Sequence, residues 1–409
     1  MVKIIKNQTF QILLALIAGL ALGLLIGPPI APIKVIGDVF LRLIQMSVVA
    51  LVCGSVIESL GNLESKEIGK LGGKIFVLFT AVTIIAAFFG IASAQLINPG
   101  IGINMALTKS LAQTSNQTVS DMILGFFPSN IFKALSEGNM VQSIIFAIPV
   151  GIVLSIVRSK NPEERILPLV QDVNKVLVGV IKMIMKIAPI GIFALLAWVA
   201  GTVGVSVIMP LAKFLLAFGV ASFLYLVLFV VLTAAYAKVN PILLWRKMIT
   251  MSIVAFTTTS SAVTLPIQMD DCVNKLGVSQ RISNLVNPLG MILNSNGLSM
   301  YLALAAVTLL QFYGMEASYG EIAKIVVIST LACLGTVVVP GGGLVALTIV
   351  VPVIGLPIES IALLAGIDWF SGMFRTVLNV DGDALVALAV AASEKEIDYS
   401  ILNQYKEEN

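Results

Sequence analysis

The sequence predicts an all-α polytopic membrane protein, and three observations predict it. The chain of 409 residues is 58% hydrophobic and only 11% charged, against roughly a quarter charged for a soluble globule. It contains no histidine. Its apolar residues gather into runs near the ~20 that a helix needs to cross a bilayer, at 10–26, 35–56, 75–97, 140–156, 176–203 and 214–237.

The first run follows Lys3 and Lys6 and has no small-residue cleavage site, so it is expected to stay as the first transmembrane helix. With the N-terminus inside, most of the 25 basic residues fall in inward loops, among them Lys66, Lys70, Lys74, Arg158, Arg165, Lys238, Arg246, Lys275 and Arg281, whereas the outward loops carry Lys34, Lys109 and Lys324. That asymmetry is the positive-inside pattern. It predicts an inner (cytoplasmic) membrane location with both termini cytoplasmic. The net charge of +3 therefore records orientation, and no nucleic-acid partner is expected. Cys53, Cys272 and Cys333 lie far apart without disulfide or metal spacing and read as packing residues.

Up to about residue 238 the pattern is six conventional spans, with a long polar excursion at 98–120 expected as an outside loop. The pattern then changes. Residues 244–276 are apolar but interrupted at Thr257, Thr258, Thr259, Ser260 and Ser261, and residues 322–360 are interrupted at Val339, Pro340 and three glycines ending at Gly343. Irregular backbone at membrane depth survives only where protein or a water-filled cavity satisfies it, so both segments are expected as re-entrant hairpins with tips at an internal site. Each is followed by an apolar helix expected to be interrupted by a similar element, Asn294 to Gly297 after the first and Asn379 to Gly382 after the second. This repetition predicts an inverted repeat with a binding site near the midplane.

Ionisable side chains in hydrocarbon mark pathways or pairs, and the last apolar run concentrates them: Asp368, Arg375, Asp381 and Asp383. Arg375, Asn379 and Asp383 are four apart and Thr376 is three before Asn379, which places them on one helical stripe. A guanidinium fork matches a carboxylate bidentately, and a carboxylate beside amide and backbone oxygens suits a hard cation such as sodium. The competing reading has Arg375 paired with Asp368 or Asp383 as internal glue. For Ser260 and Ser261 the competing reading is capping within a bent helix. At Gly342 it is a plain kink, against a gate whose bare backbone approaches a ligand. With no histidine there is no catalytic triad, and no phosphate-binding Gly-x4-Gly-Lys loop occurs, so no enzyme activity is expected.

These motifs resemble the dicarboxylate/amino acid:cation symporters, the family of bacterial and archaeal glutamate transporter homologues. The resemblance covers nearly the whole chain, from Asn98, Pro99 and Gly100 through the Ser260 to Pro266 hairpin, Asn287 to Gly290 and Asn294 to Gly297, to the Gly343 segment and the run from Arg375 to Asp383. It implies eight transmembrane helices plus two re-entrant helical hairpins, a homotrimer, and an elevator-type mechanism. A scaffold part at about 8–60 and 120–205 would carry a transport part at about 70–98 and 210–392.

It further implies that Arg375 reads a distal carboxylate, that Asn379 and the hairpin backbone at Ser260 and Ser261 hold the main carboxylate, and that Thr376 lines the pocket with Gly342 at the second hairpin. One sodium site would use Asn294, Asn379, Asp383 and the Gly290 carbonyl; a second would use carbonyls near Ile292, Cys333, Leu334 and Thr336. The chain also departs from the pattern. Gly372 stands where amino acid transporters place the aspartate that pairs with the substrate amino group. Asn296 stands for a carboxylate that helps hold a further sodium ion, with Thr80 or Thr83 as that ion's partner on the third span, and Leu298 stands for a hydroxyl on the pocket wall. The expected function is a secondary active symporter for a small organic anion, foremost a dicarboxylate, coupled to sodium with protons as a further coupling ion. The alternatives are an amino acid symporter of the same fold and an anion channel.

Overall fold

Apolar runs flanked by helix-capping side chains fold here into long helices. The computed structural model describes residues 8–62, 70–101, 124, 127–161, 163–203, 208–335 and 342–403. In chain order the principal helices are α1 (Gln8–Ile26), α2 (Lys34–Gly61), α3 (Lys70–Ile97), α4 (Met140–Lys160), α5 (Ile166–Met185), α6 (Ala188–Val203), α7 (Ile208–Ala237), α8 (Pro241–Thr258), α9 (Ser261–Asn274), α10 (Gln280–Leu293), α11 (Asn296–Phe312), α12 (Tyr319–Gly335), α13 (Gly342–Val353), α14 (Asp368–Glu394) and α15 (Tyr399–Leu402). Among the described residues the one extended pairing is the isolated bridge between Val278 and Ile397. Five helices are long and apolar enough to cross a membrane, or six if the bent pair α5 and α6 counts as one span. Outward-facing residues such as Val77, Leu216 and Leu232 are large, apolar and exposed, as lipid contact requires. The protein is a multi-pass membrane protein.

Local chemistry sets the helix boundaries. Asn240 caps α8, its Oδ1 accepting from the Ile242 N–H at 2.8 Å, with Pro241 in the first turn where its missing N–H costs nothing. Thr259 ends α8 in the left-handed region at φ 51°, and Ser260 at once caps α9 by accepting from the Val263 N–H. A two-residue break thus folds α9 back along α8. The run at 176–203, expected as one span, is instead split: α5 begins earlier, at Ile166, and meets α6 at an angle of 54°. Its break falls at Lys186 and Ile187, where the α5 stripe bearing exposed Lys182 and Lys186 ends.

A second expectation is corrected in α14. The element Asn379 to Gly382 does not interrupt this helix, which runs unbroken from Asp368 to Glu394, whereas its counterpart separates α10 from α11 at Asn294 and Ser295. Gly382 is there for close approach rather than a break, because a β-carbon on it would come within 2.5 Å of Asn296 Nδ2. The irregular backbone of the second half lies earlier, at 358–367, ahead of Asp368.

Packing follows two groupings. The helix α1 lies along α6, and α2 contacts α4, α5 and α6. Gly19 brings α1 so close to α6 that a β-carbon would sit 2.7 Å from Phe193 O, the small-residue approach by which membrane helices gain contact. The other grouping surrounds α14, which packs on α7, α8, α9, α10 and α11, while α3 lies along α11. The first meets the second through α12, α13 and residues 362–365, which touch α2, α4 and α6.

The chain end is laced onto the second grouping. Ser279 N–H donates to Glu396 O at 3.1 Å, Asp398 N–H to Gly277 O at 2.8 Å, and Lys247 Nζ to the Lys275 and Ile401 carbonyls at 2.8 and 2.6 Å. Arg281 pairs with Glu396 at 2.5 Å and holds that carboxyl below the usual glutamate range.

Gln311 joins α3 to α11: its Oε1 accepts the Gly100 N–H at 2.9 Å, and its Nε2 donates to Ala94 O and Asn98 Oδ1, each at 3.1 Å. Gln311→Leu keeps the volume and strands these groups at about 1–3 kcal/mol for each one left unpaired. The detergent-solubilised variant is expected to melt several degrees below the parent. An unchanged midpoint would show that solvent or lipid already satisfies them.

Candidate functional site

The site forms where the continuous helix α14 meets the break between α10 and α11. Helical spacing puts Arg375, Asn379 and Asp383 on one stripe as expected, with Thr376 beside them. Arg375 is 8% exposed and Asp383 fully buried.

Arg375 does not lie open. Its Nη1 donates to Asp368 Oδ1 at 2.8 Å, its Nη2 to the Asp368 carbonyl at 3.1 Å, and its guanidinium lies 4.5 Å from the centre of the Tyr301 ring. Of the two readings the sequence left open, the structure displays the pairing with Asp368, seven residues upstream, and not with Asp383. Gly343 of α13 rests directly on this pair; a β-carbon there would collide with Arg375 Nη1 and Asp368 Oδ1. At Gly372 a β-carbon would stand 3.3 Å from Arg375 Nη2, so a carboxylate at 372 would face the guanidinium, and the glycine leaves that space open. Thr376 donates to the Gly372 carbonyl at 2.8 Å.

One turn further, Asn379 Oδ1 accepts the Gly297 N–H at 2.9 Å, fixing the start of α11 against α14. Asp383 Oδ1 accepts from Asn294 Nδ2 at 2.7 Å, while Asp383 Oδ2 has no hydrogen-bond partner among the described residues. Gly290 packs on this carboxylate so closely that a β-carbon would lie 2.5 Å from its Cγ. The Gly290 carbonyl accepts the Asn294 N–H at 2.8 Å, which uses one of its two lone pairs. A fully buried carboxylate with an unmatched oxygen, beside the Asn294 amide and the Gly290 backbone, has the chemistry to take up a cation.

The structure also decides between the two threonines. Thr83, 3% exposed, donates to Asn294 Oδ1 and Asn296 Oδ1 at 3.3 and 3.2 Å, whereas Thr80 is half-buried. Cys333 donates to Ser329 O at 3.0 Å and to Ser295 O at 3.5 Å, which places it at the same break. Leu298 is buried. Ile292 and Leu334 lie in α10 and α12; Thr336, Val339 and Pro340 lie outside the described residues. At the first hairpin Ser260 acts as a cap, while Ser261 opens α9 and is 3% exposed. The tip is anchored near Arg375 by Phe256, whose ring stands edge-on to Phe374 with centroids 5.7 Å apart.

Sequence reasoning missed Tyr301 and Ser252. Ser252 of α8 donates to both oxygens of buried Asp381, at 3.0 and 2.8 Å. The only signal for either was a polar group in an apolar run, which does not say what it faces.

Removing one member of a buried pair leaves the other charge uncompensated, at about 3–5 kcal/mol. Asp368→Asn is therefore expected to lower the thermal midpoint strongly, and the double replacement Asp368→Leu with Arg375→Met to recover most of the loss. A double variant no more stable than Asp368→Asn would show that the charges matter less than the shape around them.

Comparison with known proteins gives the family. Residues 9–393 match the model of the sodium:dicarboxylate symporter family. The chain is 31% identical to the proton/sodium-glutamate symport protein of Bacillus caldotenax, over 97% of this chain and 96% of that protein. It is 29% identical to the C4-dicarboxylate transport protein of Bacillus subtilis (strain 168), over 97% and 96%, and 27% identical to the proton/glutamate-aspartate symporter of Escherichia coli (strain K12), over 98% and 97%. With the match running through nearly every helix described above, the chain belongs to the sodium:dicarboxylate symporter family.

Proposed function

We propose that the protein is a secondary active symporter that moves a dicarboxylate across the cytoplasmic membrane, driven by sodium, with protons as a further coupling ion. The observation that carries this reading is the pair of unlike groups two turns apart on α14: a buried guanidinium held by an internal carboxylate, and buried Asp383 with an unmatched oxygen. A substrate carboxylate replaces Asp368 on the Arg375 fork, and the second carboxylate meets Asn379 and the N–H groups at the start of α9, near Ser261. Sodium sits at Asp383 with Asn294, Asn379 and the Gly290 carbonyl, and a second ion uses carbonyls near Ile292, Cys333, Leu334 and Thr336 under the second hairpin.

The two packing groupings support a scaffold of α1, α2, α4, α5 and α6 and a transport part built on α14, with α8/α9 and α12/α13 as re-entrant hairpins. In this reading the chain has eight spans, forms a homotrimer and keeps both termini in the cytoplasm, and the transport part moves as an elevator.

The glutamate symporters among the relatives favour a second reading, in which the cargo is an acidic amino acid. Gly372 argues for the dicarboxylate, since no carboxylate stands at 372 to meet an ammonium group. Competition of labelled succinate uptake by unlabelled succinate and aspartate in proteoliposomes separates the two. Succinate should win, and Gly372→Asp should shift the preference towards aspartate; stronger competition by aspartate in the parent protein overturns the dicarboxylate reading. Arg375→Lys, which replaces a fork by a point charge, should weaken succinate binding by well over tenfold, in line with about 2–5 kcal/mol for a buried charged contact.

Coupling has its own test. Asp383→Asn should abolish sodium-dependent stabilisation in melting experiments while leaving the fold intact without sodium. Sodium stabilisation equal to that of the parent would remove Asp383 from the ion site.

A further inference from the structure

A groove of about 390 Å3 runs down the outer face between α3 and α7, with Ala389 of α14 at its back. Its walls are apolar, formed by Leu78, Val82 and Ile85 on one side and Leu228 and Leu232 on the other. Lys74 and Tyr236 also line it. Residues 74, 78, 82 and 85 form one stripe of α3, and from Lys74 to Ile85 the helix rises about 16 Å at ~1.5 Å per residue. That is close to half of the ~30 Å hydrocarbon core, the depth of a single leaflet.

The two ends of the groove differ in charge. Lys74 donates to Ser393 and Glu394, which brings the last turn of α14 to the polar end. Exposed Lys395 follows that turn, and exposed Lys238 follows the end of α7 two residues after Tyr236. Among the described residues, Lys74, Lys238 and Lys395 thus outnumber the acid Glu394, while Glu396 is turned away onto Arg281. Tyr236, 58% exposed, stands at the depth where amphipathic rings mark the membrane interface.

We propose that this groove binds one anionic phospholipid, with an acyl chain along Leu78, Val82, Leu228 and Leu232 and the phosphate among Lys74, Lys238 and Lys395. Charge selects the headgroup: a lysine cluster attracts a net negative lipid and gains nothing from a zwitterion whose cationic end meets the same lysines. The site backs onto the ion site. Tyr225 donates to the Val82 carbonyl at 3.0 Å, and Thr83, the next residue, turns inward to Asn294 and Asn296. A lipid seated here is carried by the same helices that hold the cation.

Native mass spectrometry of the detergent-purified protein, titrated with phosphatidylglycerol and with phosphatidylcholine of identical chains, tests the proposal. At least fivefold tighter binding of phosphatidylglycerol is expected. Leu232→Trp, which fills the groove from an exposed position, should abolish the tight adduct, and Lys238→Glu with Lys395→Glu should erase the headgroup preference. Glycerol phosphate, which lacks the chains, should not compete. Equal affinity for the two lipids overturns the proposal, as does phosphatidylglycerol affinity within twofold of the parent in both variants, each checked for the parental elution volume and melting point.

Discussion

A guanidinium enclosed by apolar helices has to be matched, and much of the architecture around α14 answers that requirement. Asp368 supplies the charge, and Tyr301 offers the face of its ring. Gly343 lets α13 close over the pair without a side chain in the way, and Gly372 leaves the outer side of the fork bare. In a medium of low polarity neither charge can be released alone. A ligand that draws Arg375 away must therefore present its own negative charge at the moment of exchange. The second hairpin feels that exchange directly, because its backbone lies on the pair.

The helix α14 also carries two carboxylates on different faces. Asp383 turns to Asn294 at the α10/α11 break, and Asp381 turns to Ser252 of the first hairpin. The Arg375 fork, the Asp383 carboxylate and the contact to the first hairpin are thus rigidly spaced along one unbroken helix. Asn379 ties the start of α11 to the same helix between the two charges.

Much of this was legible in the sequence because lipid imposes strict rules. The length of apolar runs identified most of the long helices, and the stripe of Arg375, Asn379 and Asp383 followed from helical spacing. What remained hidden was three-dimensional choice. The spacing allowed Arg375 to pair with Asp368 or with Asp383, and allowed either Thr80 or Thr83 to face the break; only packing of α3 on α11 selects Thr83. The repeated Asn-x-x-Gly element was misleading in one half, because glycine in a helix can mean close approach as readily as a break. The split of α5 from α6 was also passed over, since an apolar composition continues across the bend, although Pro189 in the first turn of α6 marks it.

The lacing of the chain end onto the first hairpin bears on biogenesis. Membrane proteins are inserted from the N-terminus as they are made, and α8, α9 and α10 leave the ribosome well before Glu396, Asp398 and Ile401, which hold their polar ends together. Until those residues are made, the ties that they give to Lys247, to Arg281 and to the loop at Gly277 and Val278 are not yet formed. The hairpin therefore closes late, only once the residues that follow α14 have reached its polar ends.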